Sequence, residues 1–244
     1  MSRTLVVIPV YNEETALDRV LREVKRYAPD ADVLVVDDGS SDRSPDILER
    51  HREVHVIRHD VNQGYGQSLI SGFSYAIERG YTEVVTIDCD EQHEPRRIPE
   101  FLAAITQADI VSGSRYLDPN VPGDPAPPDR LQVNQEFTER LRAITGYAIT
   151  DAWCGFKAYR TQALRKLELT EPSYGMPLQV WIQAAHYGLT VIELPVARIY
   201  KNPHRKFWGG LDDPQTRRSY YLRLLEGEVA RWLPDRLGRV NIRS

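Results

Sequence analysis

The sequence predicts an α/β fold built on a mostly parallel central sheet with helices on both faces. Short, continuously apolar runs alternate with segments whose apolar residues recur at helical spacing. Strands that are apolar at every position, rather than at every second one, are typical of a parallel sheet covered on both sides. The predicted strands of the first half are Leu5 to Val10, Val33 to Val36, Val54 to Ile57, Val84 to Ile87, and Ile110 with Val111.

The segments between these strands carry helix signals. Residues 17–24 place their apolar side chains at helical spacing. Ser44 followed by Pro45 begins a short second helix, because serine caps a helix and proline suits its first turn. A third helix ends near Gly80, since glycine commonly terminates helices. The alternation of strand and helix supports the parallel sheet.

The second half of the chain is less regular. Five prolines between Asp118 and Asp129 predict a long extended loop. The elements predicted beyond it are a helix over 130–144, a strand over 153–159, a helix over 178–187, a strand over 190–195, and a C-terminal amphipathic helix from Thr216. Arginines flank the apolar stripe of the last helix, so two interpretations stay open: packing on the domain, or resting on anionic lipid.

Composition excludes several classes of protein. The chain has 244 residues, a hydrophobic content of 41% and a net charge of −4, which describes a folded domain, with or without an appendage. Nucleic-acid-binding domains usually carry a basic excess, so we expect no nucleic-acid partner. Two cysteines, Cys89 and Cys154, form no disulfide framework, and this favours a reducing, cytoplasmic compartment.

The sequence predicts no transmembrane segment. No apolar run approaches the roughly 18 residues that a spanning helix needs. The first residues lead directly into a strand and leave no room for a signal peptide. We therefore expect a cytoplasmic protein, with peripheral contact at the inner face of the cell membrane left open. A homo-oligomer also stays open.

The stretch from Glu83 to Pro95 is the strongest functional signal. Its apolar run ends in Asp88 and Asp90, with Gln92 following. Residues two apart in an extended chain point the same way, so these side chains can present oxygens to one point in space. Hard cations such as Mg²⁺ or Mn²⁺ take such oxygen sites and share them with phosphates. The competing interpretation is a solvated acidic turn.

Three polar segments follow predicted strands: Pro9 to Glu13, Asp37 to Asp42, and Asp88 to Gln92. Ligands of parallel sheets bind beyond the carboxyl ends of the strands, so their shared position favours a site. Taken one at a time, each segment is more typical of an ordinary turn than of a site. The glycines of residues 62–67 lack the spacing of a dinucleotide fingerprint, and we interpret them as a structural turn.

Further candidates lie in the second half. Asp151, close to Trp153 and Phe156, would be partly desolvated, which raises a carboxyl pKa towards the range of a general base; the alternative is a cap or turn. Arg115 can reach a diphosphate through its guanidinium fork. A basic cluster consists of Lys201, His204, Arg205 and Lys206. It either binds a phosphate group or belongs to the solvated surface. His93 joins a metal site or hydrogen-bonds within its turn.

Six motifs occur in order along residues 4–200. They are P-V-Y-N-E (9–13), V-V-D-D-G-S-S-D (35–42), N-Q-G-Y-G-Q (62–67), D-C-D-E-Q-H-E-P (88–95), S-G-S-R-Y (112–116) and D-A-W-C-G-F-K-A-Y-R (151–160). Together they resemble the family-2 inverting glycosyltransferases of the GT-A fold, and within them the dolichol-phosphate mannosyltransferase-like branch. The resemblance implies a Rossmann-like, mostly parallel sheet, a nucleotide-sugar donor and a divalent metal, Mg²⁺ or Mn²⁺.

The resemblance also assigns roles residue by residue. Asp151 matches the proposed catalytic base, and the metal would be held by Asp88, Asp90 and Gln92. By motif, the donor would be bound by Pro9, Tyr11, Glu13, Asp38, Asp88, Cys89, Asp90 and Arg115. Further donor-binding residues are predicted apart from these motifs: Val36, and Lys201, Arg205 and Lys206 of the basic cluster. Cysteine replaces the usual alanine between the two acids and the usual serine before Gly155. The segment after residue 196 departs from the branch.

These observations predict an inverting, metal-dependent hexosyltransferase. GDP-mannose is the first expected donor and UDP-glucose the second; the acceptor is a polyprenyl phosphate or a soluble molecule. The expected organisation is a GT-A domain over 1–200, with a donor half over 1–115 and an acceptor half over 116–200, then a basic loop and helix over 201–244. The alternatives are a sugar-1-phosphate nucleotidyltransferase and a non-catalytic nucleotide-sugar-binding module.

Overall fold

The structure is a computed structural model that describes residues 3–201 and 210–240. The strands are β1 (Thr4–Val10), β2 (Asp32–Asp37), β3 (His55–Arg58), β4 (Glu83–Thr86), β5 (Ile110–Ser114), β6 (Lys157–Arg160) and β7 (Val191–Pro195). The α-helices within the described residues are α1 (Leu17–Tyr27), α2 (Ser44–Leu48), α3 (Tyr65–Glu78), α4 (Ile98–Ala104), α5 (Pro128–Thr145), α6 (Thr161–Leu164), α7 (Met176–His186) and α8 (Pro214–Trp232).

The strands form one mostly parallel sheet in the order β3-β2-β1-β4-β6-β5-β7. β1 pairs in parallel with β2 and β4, β2 with β3, and β5 with β7, whereas β6 runs antiparallel to β4 and β5. The predicted α/β class is therefore confirmed. The strand predicted over 153–159 was placed too early. β6 begins at Lys157, because the preceding residues turn over the end of β4, where the Thr86 hydroxyl donates to the Gly155 carbonyl.

Both faces of the sheet are buried, which explains the continuously apolar strands. In β1, Val6 and Ile8 face one side and pack with residues of α1, α2 and α4. Leu5 and Val7 face the other side and pack with residues of α3, α6 and α7. All four side chains are fully buried. Because successive strand residues alternate between faces, a strand covered on both sides must be apolar throughout.

The C-terminal helix α8 packs on the domain, as one of the two interpretations predicted. Tyr221, Leu225 and Val229 join a hydrophobic cluster with residues of α5 and α7. Beside them, the buried Glu228 carboxylate accepts hydrogen bonds from Gln179 and Gln183 of α7. These contacts hold α8 against α5 and α7. Across residues 3–201 and 210–240, every helix is too short or too polar to span a membrane.

The stacked pair of Phe101 and Phe156 provides a test of the core. The two rings are parallel, with centroids 4.0 Å apart, and Phe101 is fully buried. We expect Phe101→Ala to lower the free energy of unfolding by about 3–5 kcal/mol, because it leaves a cavity beside Phe156. The partly buried neighbour Leu102 is the control, and Leu102→Ala should have a smaller effect. Urea denaturation measures both; equal losses would contradict this packing.

Candidate active site

A cleft of about 790 Å³ opens where β1, β2, β4 and β5 end. It brings together most residues that the motifs predicted for the donor and the metal. The predicted residues that line it are Pro9, Tyr11, Glu13, Asp38, Asp88, Cys89, Asp90, Gln92, Arg115 and Lys201. The agreement reflects the sheet topology, since parallel neighbours deliver their carboxyl ends to one edge.

The first two motif turns are joined by hydrogen bonds. Asn12 adopts a left-handed backbone conformation with φ of 56°, which asparagine tolerates better than most residues. Its backbone N–H donates to the Ser40 hydroxyl, and its side-chain oxygen accepts from the backbone N–H groups of Ser41 and Asp42. Asn12 thus fastens the turn after β1 to the turn after β2. Tyr11 beside it is 40% exposed and presents a ring face to the cleft.

Asp38 organises the third motif. One of its carboxylate oxygens accepts from the His59 ring and from the backbone N–H of Gln63, and the other accepts from the backbone N–H of Gly64. The side chain is almost fully buried. Asp38 therefore holds the loop that precedes α3 against the end of β2.

The acid pair sits at the centre of the cleft. The Tyr65 hydroxyl donates to Asp88 Oδ1 at 3.0 Å, and the backbone N–H of Gln92 donates to Asp90 Oδ1 at 3.1 Å. Gly155 faces the pair: a Cβ atom there would lie 2.6 Å from Asp88 Oδ2. The motif therefore needs glycine at this position because any side chain would displace the carboxylate.

His93 hydrogen-bonds within its turn, the second of its two predicted roles. The backbone N–H of Asp88 donates to His93 Nδ1 at 3.1 Å, and the Cys154 sulfur lies 3.9 Å from Nε2. Burial lowers the pKa of His93 to about 4, so the ring is neutral at pH 7. A neutral ring with an accepting Nδ1 holds the acidic turn in place.

The residue between the acids and Gln92 is also constrained. Glu91 has φ of 62°, a conformation that a non-glycine residue rarely adopts. Its carboxylate forms an ion pair with Arg19 of α1. The ion pair balances the charge of this third acidic side chain, which lines the cleft together with Asp88, Asp90 and Gln92.

The oxygen atoms that Asp88, Asp90 and Gln92 offer suit a divalent cation that also coordinates a ligand. Within residues 3–201 and 210–240, histidine, cysteine, aspartate and glutamate do not gather in threes as a complete metal cage. Two carboxylates and an amide provide oxygens only, which suits Mg²⁺ or Mn²⁺. Such ions commonly take the rest of their coordination from phosphate oxygens and water. The predicted metal ligands are therefore compatible with a cation that arrives with a diphosphate.

Asp151 lies in a buried ion pair rather than at the cleft surface. Arg115, which lines the cleft, donates through Nε to Asp151 Oδ2 at 2.6 Å and through Nη2 to Oδ1 at 2.9 Å. Asn134 of α5 donates to Oδ1. Glu193 of β7 accepts from the backbone N–H groups of Thr150 and Asp151, which fixes the turn.

The expected rise in the pKa of Asp151 is wrong. Its carboxyl is fully buried, and burial alone would raise the pKa. The Arg115 guanidinium and the hydrogen bond from Asn134 outweigh that effect and hold the pKa below its ordinary value. Asp151 is therefore ionised throughout the neutral range and is engaged with Arg115.

Another wall of the cleft contains residues that the motifs did not identify. It is formed by aromatic and cationic side chains from loops and from helices α5 and α8: Tyr116, Arg130, Trp153, Tyr174, Arg217 and Tyr221. Trp153 and Tyr221 pack ring on ring, with centroids 4.4 Å apart. Arg217 pairs with Asp129 at 2.7 Å. Arg217 and Tyr221 were noted only as parts of an amphipathic helix, because periodicity does not show which face borders a cleft.

One predicted donor residue, Val36, lies away from the cleft wall, and two others cannot be placed because they fall outside the described residues. The Val36 side chain is fully buried in the hydrophobic core, because it points into the layer beneath α3. A contact of Val36 with a donor is therefore limited to its backbone. Arg205 and Lys206 lie outside the described residues.

A comparison with protein families decides the classification. Glycosyl transferase family 2 matches residues 5–168. The chain belongs to this family. It is 32% identical over 220 residues to an undecaprenyl-phosphate mannosyltransferase of Micrococcus luteus, covering 86% of this chain and 89% of the relative. It is also 32% identical over 206 residues to a polyprenol monophosphomannose synthase of Mycolicibacterium smegmatis, covering 80% and 76%. The predicted class of enzyme, a glycosyltransferase, is confirmed.

Solved structures with the same fold include glucosyl-3-phosphoglycerate synthase from Mycobacterium tuberculosis. One superposes with a TM-score of 0.73 at 17% identity, covering 94% of this chain and 81% of the other. Another, in complex with Mn²⁺ and UDP-glucose, has a TM-score of 0.70 at 18% identity, covering 95% and 79%. These likenesses confirm the predicted GT-A fold.

The ion pair predicts a pH-dependent stability. Because the pKa of Asp151 is lowered on folding, its stabilising effect is complete above its unfolded pKa of about 4 and disappears as the pH falls below that value. We expect Asp151→Asn to lower the free energy of unfolding by about 3 kcal/mol at pH 7, because it leaves Arg115 without its charged partner.

Urea denaturation at neutral and acid pH measures this effect. The difference between wild type and variant should stay constant from pH 7 to about 4 and shrink as the pH falls further, towards about 3. Asp60→Asn, at an exposed position, is the control and should leave stability unchanged at both pH values. A difference that stays constant with pH would show that the ion pair is not the cause.

Proposed function

We propose that the protein transfers a hexose from a nucleoside diphosphate sugar to a polyprenyl phosphate, with inversion at the anomeric carbon. The observation that carries the proposal is the composition of one cleft. Its donor side holds Asp88, Asp90 and Gln92, and its acceptor side combines aromatic rings with Arg130 and Arg217. The names of the relatives, a mannosyltransferase and a mannose synthase acting on polyprenyl carriers, support the same assignment.

The donor side suits a nucleotide sugar. Tyr11 offers a ring for the base, and Glu13 can accept hydrogen bonds from ribose hydroxyls. The two acids would hold a divalent cation on the diphosphate together with Gln92. When bound, that cation offsets the negative charge that develops on the departing diphosphate. GDP-mannose is the first donor to test and UDP-glucose the second.

The acceptor side suits an amphiphilic phosphate. Trp153, Tyr174 and Tyr221 provide apolar surface for the first isoprene units, and the two arginines provide charge for the phosphate. In the proposed reaction a phosphate oxygen attacks the anomeric carbon from the face opposite the leaving group. The bond from this carbon to the diphosphate oxygen breaks, and the nucleoside diphosphate leaves. A polyprenyl acceptor would place the protein peripherally at the inner face of the membrane.

A phosphate acceptor also agrees with the state of Asp151. A phosphate monoester has its second pKa near 6, so its oxygen is already ionised at pH 7 and needs no general base. A hydroxyl acceptor would need one, and Arg115 would then have to release Asp151. We therefore propose that Asp151 orients Arg115 towards the donor, and we retain Asp151 as the base only for a hydroxyl acceptor.

A donor and acceptor panel tests the proposed function. The protein is incubated with Mn²⁺ and each nucleotide sugar, with undecaprenyl phosphate in detergent or with 3-phosphoglycerate as a soluble acceptor. We expect nucleoside diphosphate release that depends on the metal and is stimulated by the lipid phosphate. Stimulation by the soluble acceptor alone would refute the lipid assignment. Pyrophosphate release from a nucleoside triphosphate and a sugar phosphate would support a nucleotidyltransferase instead.

Asp90 provides a test of the metal assignment. We expect Asp90→Ala to weaken metal-dependent donor binding by more than about 100-fold, since loss of even an outer partner of a metal ligand costs 10- to 100-fold. Asp60→Ala, which removes an exposed carboxylate outside the cleft, is the matched control. Calorimetry with donor and Mn²⁺ measures both variants. Unchanged donor binding by Asp90→Ala would remove Asp90 from the site.

A further inference from the structure

Tyr65 connects the acid pair to the acceptor wall. It is the first residue of α3 and belongs to a motif that the sequence explained only as a structural turn. Its hydroxyl donates to Asp88 Oδ1 at 3.0 Å. Its ring lies nearly parallel to that of Tyr174, with centroids 5.9 Å apart and an angle of 14°. One side chain therefore touches both sides of the cleft.

The position of Tyr65 is fixed by close backbone contacts on both sides of it. A Cβ atom on Gly64 would lie 2.4 Å from the Pro172 carbonyl oxygen, and one on Gly66 would lie 2.3 Å from that of Glu171. The backbone N–H of Gln67 donates to the Pro172 carbonyl at 2.9 Å. The start of α3 is thus pressed against the loop before α7. Such contact leaves the tyrosine little freedom to move away from Asp88.

The space around the hydroxyl is equally restricted. A Cβ atom on Gly155 would lie 2.7 Å from the Tyr65 hydroxyl oxygen and 2.6 Å from Asp88 Oδ2. The glycine therefore leaves room for both groups at once. The hydroxyl engages Oδ1 and thereby restricts the rotation of the carboxylate, whose other oxygen, Oδ2, lies 3.7 Å from His93 Nδ1.

We propose that Tyr65 is a positioning residue for the acid pair, and that its hydroxyl sets Asp88 in the orientation that binds the divalent cation and the donor diphosphate. Two carboxylates in one cleft repel each other, so an unrestrained Asp88 would turn away from Asp90. A hydrogen bond from a neutral hydroxyl opposes that rotation without adding charge. The inference rests on the metal site of the proposed function.

A matched pair of variants isolates the hydroxyl. Tyr65→Phe removes it and keeps the ring that packs on Tyr174. The control is Tyr81→Phe, because the Tyr81 hydroxyl also donates to a carboxylate, that of Asp32, at 2.7 Å. Asp32 is the first residue of β2, at the edge of the sheet opposite the cleft. Both variants lose one tyrosine–carboxylate hydrogen bond, and only one of them affects the acid pair.

Binding of Mn²⁺ is the primary measurement. The paramagnetic resonance signal of free Mn²⁺ is titrated with each protein in the presence of GDP or UDP. We expect Tyr65→Phe to raise the dissociation constant for Mn²⁺ about 10- to 100-fold, the range for outer partners of metal ligands. Tyr81→Phe should stay within about twofold of wild type. Tyr65→Phe within twofold of wild type would overturn the inference.

Two further readouts separate positioning from general stability. We expect Tyr65→Phe to need about 10- to 100-fold more Mn²⁺ for half-maximal nucleoside diphosphate release, with a smaller loss of the rate at saturating metal. A loss confined to the saturated rate would overturn the inference. Melting temperatures without metal should fall by similar amounts in both variants; selective unfolding of Tyr65→Phe would assign the residue a structural role instead.

Failure of the inference is distinguishable from failure of the proposed function. A wild-type protein that binds no Mn²⁺ with either diphosphate overturns both. A wild-type protein that binds Mn²⁺, and loses this binding in Tyr65→Phe, supports the inference even where no sugar is transferred. A protein that transfers the sugar and binds Mn²⁺ equally well in both forms overturns the inference alone.

Discussion

The parallel pairing of β1 with β2 and β4 is the constraint on which the site depends. Val10 is in register with Asp37 at the end of β1, and β4 ends on the other side of the same strand. Three polar turns must therefore converge at one edge of the sheet. Hydrogen bonds from Asn12 and to Asp38 then join neighbouring turns. Strand order determines where the cleft lies. The buried core fixes the backbone positions from which the side chains of the cleft extend.

Charged side chains in and beside the cleft form ion pairs with one another. The Arg115 guanidinium donates to both carboxylate oxygens of Asp151. Arg19 likewise engages Glu91. Each ion pair fixes the orientation of its two charged groups. A carboxylate held in this way is less able to accept a proton. The lowered pKa of Asp151 follows from this arrangement.

Much of the fold and of the donor side could be predicted because both depend on local signals. Continuous apolar runs identified the strands covered on both faces, and the polar residues after them marked the cleft. The pairing of Arg115 with Asp151 could not be predicted, since it joins groups 36 residues apart through the antiparallel insertion of β6. Burial of Asp151 near Trp153 suggested a raised carboxyl pKa. The sequence does not show that the Arg115 guanidinium lies beside this carboxylate and lowers its pKa. The contacts of Tyr65 could not be predicted either, because a turn motif does not reveal what its side chains touch.

The two walls of the cleft come from different parts of the chain. The residues that face the proposed donor all precede residue 116, apart from Lys201, whereas Tyr174, Arg217 and Tyr221 lie beyond residue 168, where the match to the family model ends. Sequence change in the C-terminal part can therefore alter the proposed acceptor wall and leave the acid pair and the sheet intact. The two walls of the cleft can accordingly diverge independently of each other.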